Sequence, residues 1–151
     1  MIEGVRIKKL QTVPDQRGFV MEILRDDEEC FEKFGQAYVS GTYPGIVKAW
    51  HAHEIQTDSF CCLQGNVMVG LFDDREDSPT RGQTMKIVLG ELNRTLLQIP
   101  PLVWHGWICL GNEMAVVLNL PTEHYNPQAP DELRRPWDDP DIDFEWHVKG
   151  G

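Results

Sequence analysis

The chain has no apolar stretch approaching the roughly 20 residues that a membrane-crossing helix needs, which excludes a helical membrane protein. Its first residues, Met1-Ile2-Glu3-Gly4-Val5-Arg6, lack the charged region, apolar run and small-residue site of a secretory leader. A cytoplasmic protein is therefore expected. A basic patch is missing too: 14 Lys and Arg stand against 24 Asp and Glu, for a net charge of −10. Nucleic acid binding wants a basic face, so nucleic acid is not an expected partner. A small anionic ligand stays open, because two or three cations in one pocket suffice for it. The four cysteines, Cys30, Cys61, Cys62 and Cys109, contain no C-x-x-C pair. Adjacent Cys61 and Cys62 in a strand-like run point to opposite faces, so at least one is expected in the core.

What is present describes one soluble domain. The 151 residues are 41% hydrophobic and 25% charged, ordinary proportions for a globular protein. A chain of this size buries about 70% of its unfolded surface. Short apolar runs punctuated by Gly, Pro and Asp predict strands over 5–13, 18–25, 36–42, 46–53, 58–63, 66–73, 84–89, 95–99, 106–109 and 114–120. Val67, Val69 and Leu71 share one face of such a strand, with Met68 and Gly70 on the other. A helix is expected only over 26–34. From Pro121 onward prolines forbid a long regular element, yet Trp137, Phe144 and Trp146 lie there. This acidic tail is expected to fold back on the body, giving a core over about 5–125 and a C-terminal segment over about 126–151. Many short strands at regular spacing mean an all-β sandwich or barrel.

The densest chemical constellation runs from Gly45 through Lys48, His51, His53 and Asp58 to Gly65. On a strand His51 and His53 point the same way, whereas Lys48 joins them only through a bulge or its long reach. A second stretch, Ile99-Pro100-Pro101 to Trp104-His105-Gly106-Trp107, places a third histidine after a tight turn. These spacings resemble the two cupin motifs, G-x5-H-x-H-x4-E-x6-G and G-x5-P-x-G-x2-H-x3-N, with Asp58 in the Glu place. His51, His53, His105 and Asp58 would make a sensible site for one divalent metal ion. A polar cluster at a barrel mouth is the alternative.

Further segments extend the pattern. Asp15-Gln16-Arg17-Gly18-Phe19 with Glu22 resembles the D-x-R-G-x-F-x-E opening of the dTDP-4-dehydrorhamnose 3,5-epimerase family. Gln36 and Ser40 are similar to its Q-x-N-x-S segment, with Tyr38 in the Asn place. Asp73 through Gly82 resembles D-x-R-x-x-S-P-T-x-G, Tyr125-Asn126-Pro127 its Y-x-P, and Trp137 through Trp146 its W-x-D-P-x-I-x-I-x-W. The resemblance spans nearly the whole chain, in order. It implies an antiparallel jelly-roll cupin, a homodimer, and a nucleotide-diphosphate sugar with a 4-keto group as substrate. Metal-free proton abstraction beside that carbonyl follows, with no cofactor.

By position the resemblance implies His51 as base with Asp139 as its partner, and Lys48 and His53 as groups that polarise or protonate the enolate. It implies substrate contacts from Arg17, Gln36, His105, Asn119 and Trp104. Imidazole titrates near neutrality, and developing negative charge on O4 wants a preorganised donor. Three positions depart from the family: Asn119 stands for its catalytic Tyr, Asp58 for a Lys and His53 for a Gln. Tyr38, Tyr43 and Tyr125 are the phenols that could replace the lost acid, and the sequence ranks none of them first. Lys48-Ala49-Trp50-His51-Ala52-His53 and Ile99 through His105 are also similar to segments of the dTDP-4-keto-6-deoxyglucose 3,4-ketoisomerases. The expected function is thus a sugar-nucleotide epimerase or isomerase of deoxysugar or surface-polysaccharide biosynthesis. A metal-dependent cupin and a non-catalytic carbohydrate-binding protein are the rivals.

Overall fold

Ten strands form two facing five-stranded antiparallel sheets, described by a computed structural model over residues 1–147. The first sheet has the order β1 (Arg6–Lys9), β9 (Thr95–Ile99), β6 (Asp58–Gln64), β11 (Ala115–Asn119) and β4 (Tyr38–Thr42). The second has the order β12 (Leu133–Arg134), β5 (Val47–Ala52), β10 (Val103–Leu110), β7 (Asn66–Asp73) and β8 (Thr84–Gly90). A separate hairpin joins β2 (Thr12–Asp15) to β3 (Gly18–Met21). This is the expected all-β jelly roll, with the short strands and crossed order of that architecture.

Period-two alternation decides which side chains enter the core. On β7, Val67, Val69 and Leu71 point between the sheets, packing with Phe60, Leu97, Ile99, Val103 and Trp107. Met68 and Phe72 point outward into a second cluster, with Trp50, Ile108, Ile142 and Trp146. The tail thus folds back as expected and covers the outer face of the second sheet. It comes so close that a Cβ on Gly70 would lie 2.4 Å from Phe144 Cζ, so only glycine fits there. Cys61 and Cys62 fall in two different clusters, both buried.

Two expectations are corrected. Residues 26–30 form turns and 31–34 an irregular segment, and no helix occurs among the described residues. The acidic residues there take tertiary partners instead: Glu28 pairs with Lys8, and Glu32 accepts a hydrogen bond from Thr57 Oγ1 at 3.1 Å. The run over 5–13 is two strands, because Leu10 leaves β1 and donates its N–H to Arg94 O at 2.9 Å. The sequence also gave no sign of β12, which adds Leu133 opposite Ala52 and Arg134 opposite His51.

Candidate active site

Three histidines reach one point because β5 and β10 are neighbours, with His51 directly opposite His105. Next along the pair, Trp107 faces Lys48, so β5 carries one more residue than β10 between these positions. That extra residue is a β-bulge at Ala49–Trp50, and it turns Lys48 to the same side as His51. Val47, Ala49 and Trp50 pack against the outer layer, while Lys48 reaches across to Ser40 and Gly41 of β4 and shares a cavity with His51. Gly106 makes room for the bulge: a Cβ there would sit 2.3 Å from Ala49 Cβ and 2.5 Å from Lys48 O.

The carboxylate on this cluster is Asp58, at the start of β6 in the facing sheet. Its Oδ2 lies 3.0 Å from His105 Nε2 and 3.3 Å from His53 Nε2. Its Oδ1 accepts from Gln56 Nε2 at 2.9 Å and Asn119 Nδ2 at 2.8 Å. His105 Nδ1 points to Val103 O at 2.8 Å, and His53 Nδ1 to Asp131 O. Both rings therefore have an oxygen at each nitrogen. That arrangement is satisfied when positive charge lies between the two Nε2 atoms and Asp58, whether as protons or as a cation. The donor atoms of His51, His53, Asp58 and His105 all lie within 4.8 Å of one another.

Electrostatics divides the histidines. Burial opposes charge on His53, but its hydrogen bond to Asp58 and the Asp58 charge outweigh burial and raise its pKa. Burial first, then the neighbouring His105, push His51 well below the usual histidine value. Burial disfavours the Asp58 anion, yet the bonds to His105 and His53 win and hold its pKa far below the usual carboxylate range. The His51 ring centroid lies 4.2 Å from that of His105.

Two cavities open on this cluster. One of about 370 Å³ is lined by His53, Gln36, Tyr38, Gln56, Tyr125 and Asp131 among others. The other, of about 610 Å³, holds His51, Lys48, Trp107, Arg134 and Arg135. Tyr38 and Glu132 belong to both walls. Lys48 Nζ donates to Ser40 Oγ at 2.9 Å and Gly41 O at 2.7 Å, which leaves a third N–H for a ligand.

The sequence-derived residues therefore separate. His51, His53, Lys48 and Gln36 line the cavities, and His105 lies buried beneath them. Asp139 is corrected as the partner of His51: it closes its own turn, accepting from Asp141 N at 3.0 Å through Oδ1, while Asp58 serves the histidines. Asn119 is corrected as a substrate contact. It is buried, its Oδ1 accepting from Ser59 N at 3.0 Å and its amide N–H groups spent on Asp58 and Tyr38. Trp104 points to the outer layer, where the Arg135 guanidinium stacks 4.5 Å from its ring. Arg17 sits at the tip of the β2–β3 hairpin, paired with Asp15 and lining neither cavity.

Sequence reasoning missed Asp131, Arg134 and Arg135. Asp131 accepts from the N–H groups of Glu54, Ile55 and Gln56, and its carbonyl faces His53. Those three amides lie between strands, so they need an acceptor; that need was the available signal.

The sequence profile of dTDP-4-dehydrorhamnose 3,5-epimerase matches residues 1–150. The spore coat polysaccharide biosynthesis protein SpsL of Bacillus subtilis is 47% identical over 149 residues, covering 99% of each chain. "Probable low-salt glycan biosynthesis epimerase Agl13" of Haloferax volcanii is 43% identical, covering 98% of this chain and 96% of its own. The crystal structure of a dTDP sugar isomerase from Desulfovibrio desulfuricans superimposes with a TM-score of 0.91 at 37% identity, over 96% of this chain and 92% of that one. The chain belongs to the dTDP-4-dehydrorhamnose 3,5-epimerase family.

Proposed function

We propose that this protein enolises a nucleotide-linked 4-keto-6-deoxy sugar, His51 removing the proton beside the carbonyl. The proposal places it as a homodimer in the cytoplasm, serving deoxysugar or surface-polysaccharide biosynthesis. The observation that carries it is the His51 imidazole, whose burial beside His105 disfavours its protonation, on the wall of a cavity of about 610 Å³ that Lys48, Arg134 and Arg135 also line. A base must be unprotonated to act, and burial keeps His51 so. As the C–H bond breaks, its electron pair enters the new C=C bond and negative charge grows on O4. Lys48 is placed to receive that charge, and fixed cations act strongly where water is excluded. Arg134 and Arg135 stand on the same wall, paired with Glu132 and Asp74, and would exchange those carboxylates for a diphosphate. His53 and His105, anchored on Asp58, hold the floor beneath the reacting carbon.

The test is proton NMR of dTDP-4-keto-6-deoxyglucose in deuterated buffer. Deuterium should enter beside the carbonyl with the wild-type protein and fail to enter with His51→Asn. Exchange that survives in His51→Asn would sink the assignment.

The convergence of four donor atoms favours a second reading, a divalent cation on His51, His53, His105 and Asp58. The residues fit: backbone carbonyls fix the outer nitrogens of His53 and His105, the usual second layer of such a site. A bound cation would supply Lewis-acid polarisation of an oxygen. Elemental analysis of protein purified without an affinity tag decides it, and a content near one ion per chain is the result this reading requires.

A further inference from the structure

Asn119 tells where the second proton comes from. Its Oδ1 accepts the Ser59 N–H at 3.0 Å, and this fixes the amide so that Nδ2 faces Asp58 Oδ1 at 2.8 Å and the Tyr38 hydroxyl at 3.0 Å. The two residues are cross-strand partners, Asn119 on β11 opposite Tyr38 on β4. The Tyr38 oxygen therefore accepts, and its own proton is left to point elsewhere. Elsewhere is the site: Tyr38 forms part of the wall of both cavities, with His53 in one and His51 in the other.

The remaining phenols are placed differently. Tyr43 lines neither cavity and is 73% exposed. Tyr125 lines only the His53 cavity and is held through its backbone N–H to Gln36.

We propose that Tyr38 is a catalytic acid, delivering a proton to the enolate carbon from the side away from His51. This rests on the enolisation proposed above. The step balances. His51 takes the proton from carbon, and the C–H electron pair leaves charge on O4. The charge returns to re-form the C=O bond as the C=C pair takes the Tyr38 proton on the opposite face. The phenolate left behind accepts the Asn119 N–H, which strengthens as charge appears. Solvent then carries the His51 proton back to Tyr38. Deprotonation on one face and reprotonation on the other inverts the carbon, and this is what a single histidine cannot do.

Tyr38→Phe separates the two steps in the NMR experiment. The expected variant still exchanges the proton for deuterium through His51 but loses inversion by about 100-fold or more, while Tyr43→Phe inverts at the wild-type rate. Inversion by Tyr38→Phe within about threefold of wild type would overturn the assignment. So would a folded Tyr38→Phe that loses exchange together with inversion. A wild-type protein that exchanges without inverting also overturns it. If the wild-type protein does not exchange at all, the enolisation reading fails and this one with it.

Should Tyr38→Phe not fold, 3,5-difluorotyrosine incorporated into a Tyr43→Phe, Tyr125→Phe background leaves the phenol in place and makes it more acidic. Asp58, Glu132, His51 and His53 face that phenol. The alkaline limb of the inversion rate should then move to lower pH. An unmoved limb counts against Tyr38.

Discussion

Two aspartates in this molecule are equally buried and opposite in use. Asp73, at the end of β7, is 0% exposed; Asp58, at the start of β6, is 1% exposed. Asp73 is gripped by a permanent cation and hydroxyls: Arg75 Nε and Nη2 each at 2.8 Å, Ser78 Oγ at 2.5 Å and Thr80 Oγ1 at 2.6 Å. Asp58 instead faces two imidazoles and two neutral amides. A guanidinium does not give up its proton, so the first arrangement can only hold the 73–83 turn. Imidazoles exchange theirs, so the second keeps mobile charge beside a cavity. The Ser78-Pro79-Thr80 motif, which follows the family's pattern, is thus architecture, and the His51–Asp58 segment, which departs from it at His53 and Asp58, is the proposed seat of chemistry.

Breaking each anion in turn should separate these roles. Asp73→Ala leaves a half-buried guanidinium and two hydroxyls without their acceptor, and loss of about 1–3 kcal/mol in urea unfolding is expected; a loss below about 0.5 kcal/mol would contradict the account. The pH dependence follows from sign. Burial resists the Asp73 anion, but Arg75, Ser78 and Thr80 hold its pKa far below the usual carboxylate value. Its contribution is therefore complete above about pH 4 and fades as pH falls toward the folded value. The gap between wild type and Asp73→Ala should narrow in acid, and a constant gap would show that titration plays no part.

Asp58→Asn keeps shape and removes charge. Deuterium exchange should drop about 100-fold or more, equivalent to about 2.7 kcal/mol, in a protein that still unfolds cooperatively. Undiminished exchange would make Asp58 another Asp73.

A smaller effect belongs to Gly106→Ala, whose Cβ meets the bulge at Ala49 and Lys48. A loss of about 1–3 kcal/mol is expected, together with slower exchange as Lys48 and His51 move; thermal unfolding and NMR report the two. Smallest is Arg17→Ala. Arg17 and Asp15 form an exposed pair, so a stability change within about 0.5 kcal/mol is expected. A rise in KM in that variant would mean that the hairpin reaches the cavity of a second copy.

Much of this was legible because strand alternation is a local signal. The residues 66–73 and 95–99 form strands at the expected bounds, and the H-x-H spacing correctly put His51 and His53 on one side. The carboxylate partner was not legible. Position pointed to Asp139 for His51, and only the meeting of β6 with β10, 47 positions apart at Asp58 and His105, shows that the carboxylate within the cluster is Asp58, bonded to His53 and His105. The tail's role was half visible: its aromatics announced packing, but nothing local in the sequence set Arg134 and Arg135, which pair with Glu132 and Asp74, on a cavity wall. Short β12 has two residues and no periodicity to read. Residues 26–34 looked helical because charge alone does not reveal that Lys8 and Thr57 lie in wait for it.

The latch at Asp131 has a consequence for how substrate preference is stored. Residues 131–135 run along the rim of both cavities and are pinned at their two ends: the Asp131 carboxylate accepts from three amides, and Arg135 pairs with Trp50 through backbone bonds in both directions at 3.1 Å. Backbone pairing is indifferent to most side chains. Between the Asp131 carboxylate and Arg135, positions 132–134 can therefore be rewritten while the histidine floor and the sheets stay as they are. A segment graft over 124–135 from a relative should carry that relative's sugar preference with it, as a replaceable bezel around a fixed lens.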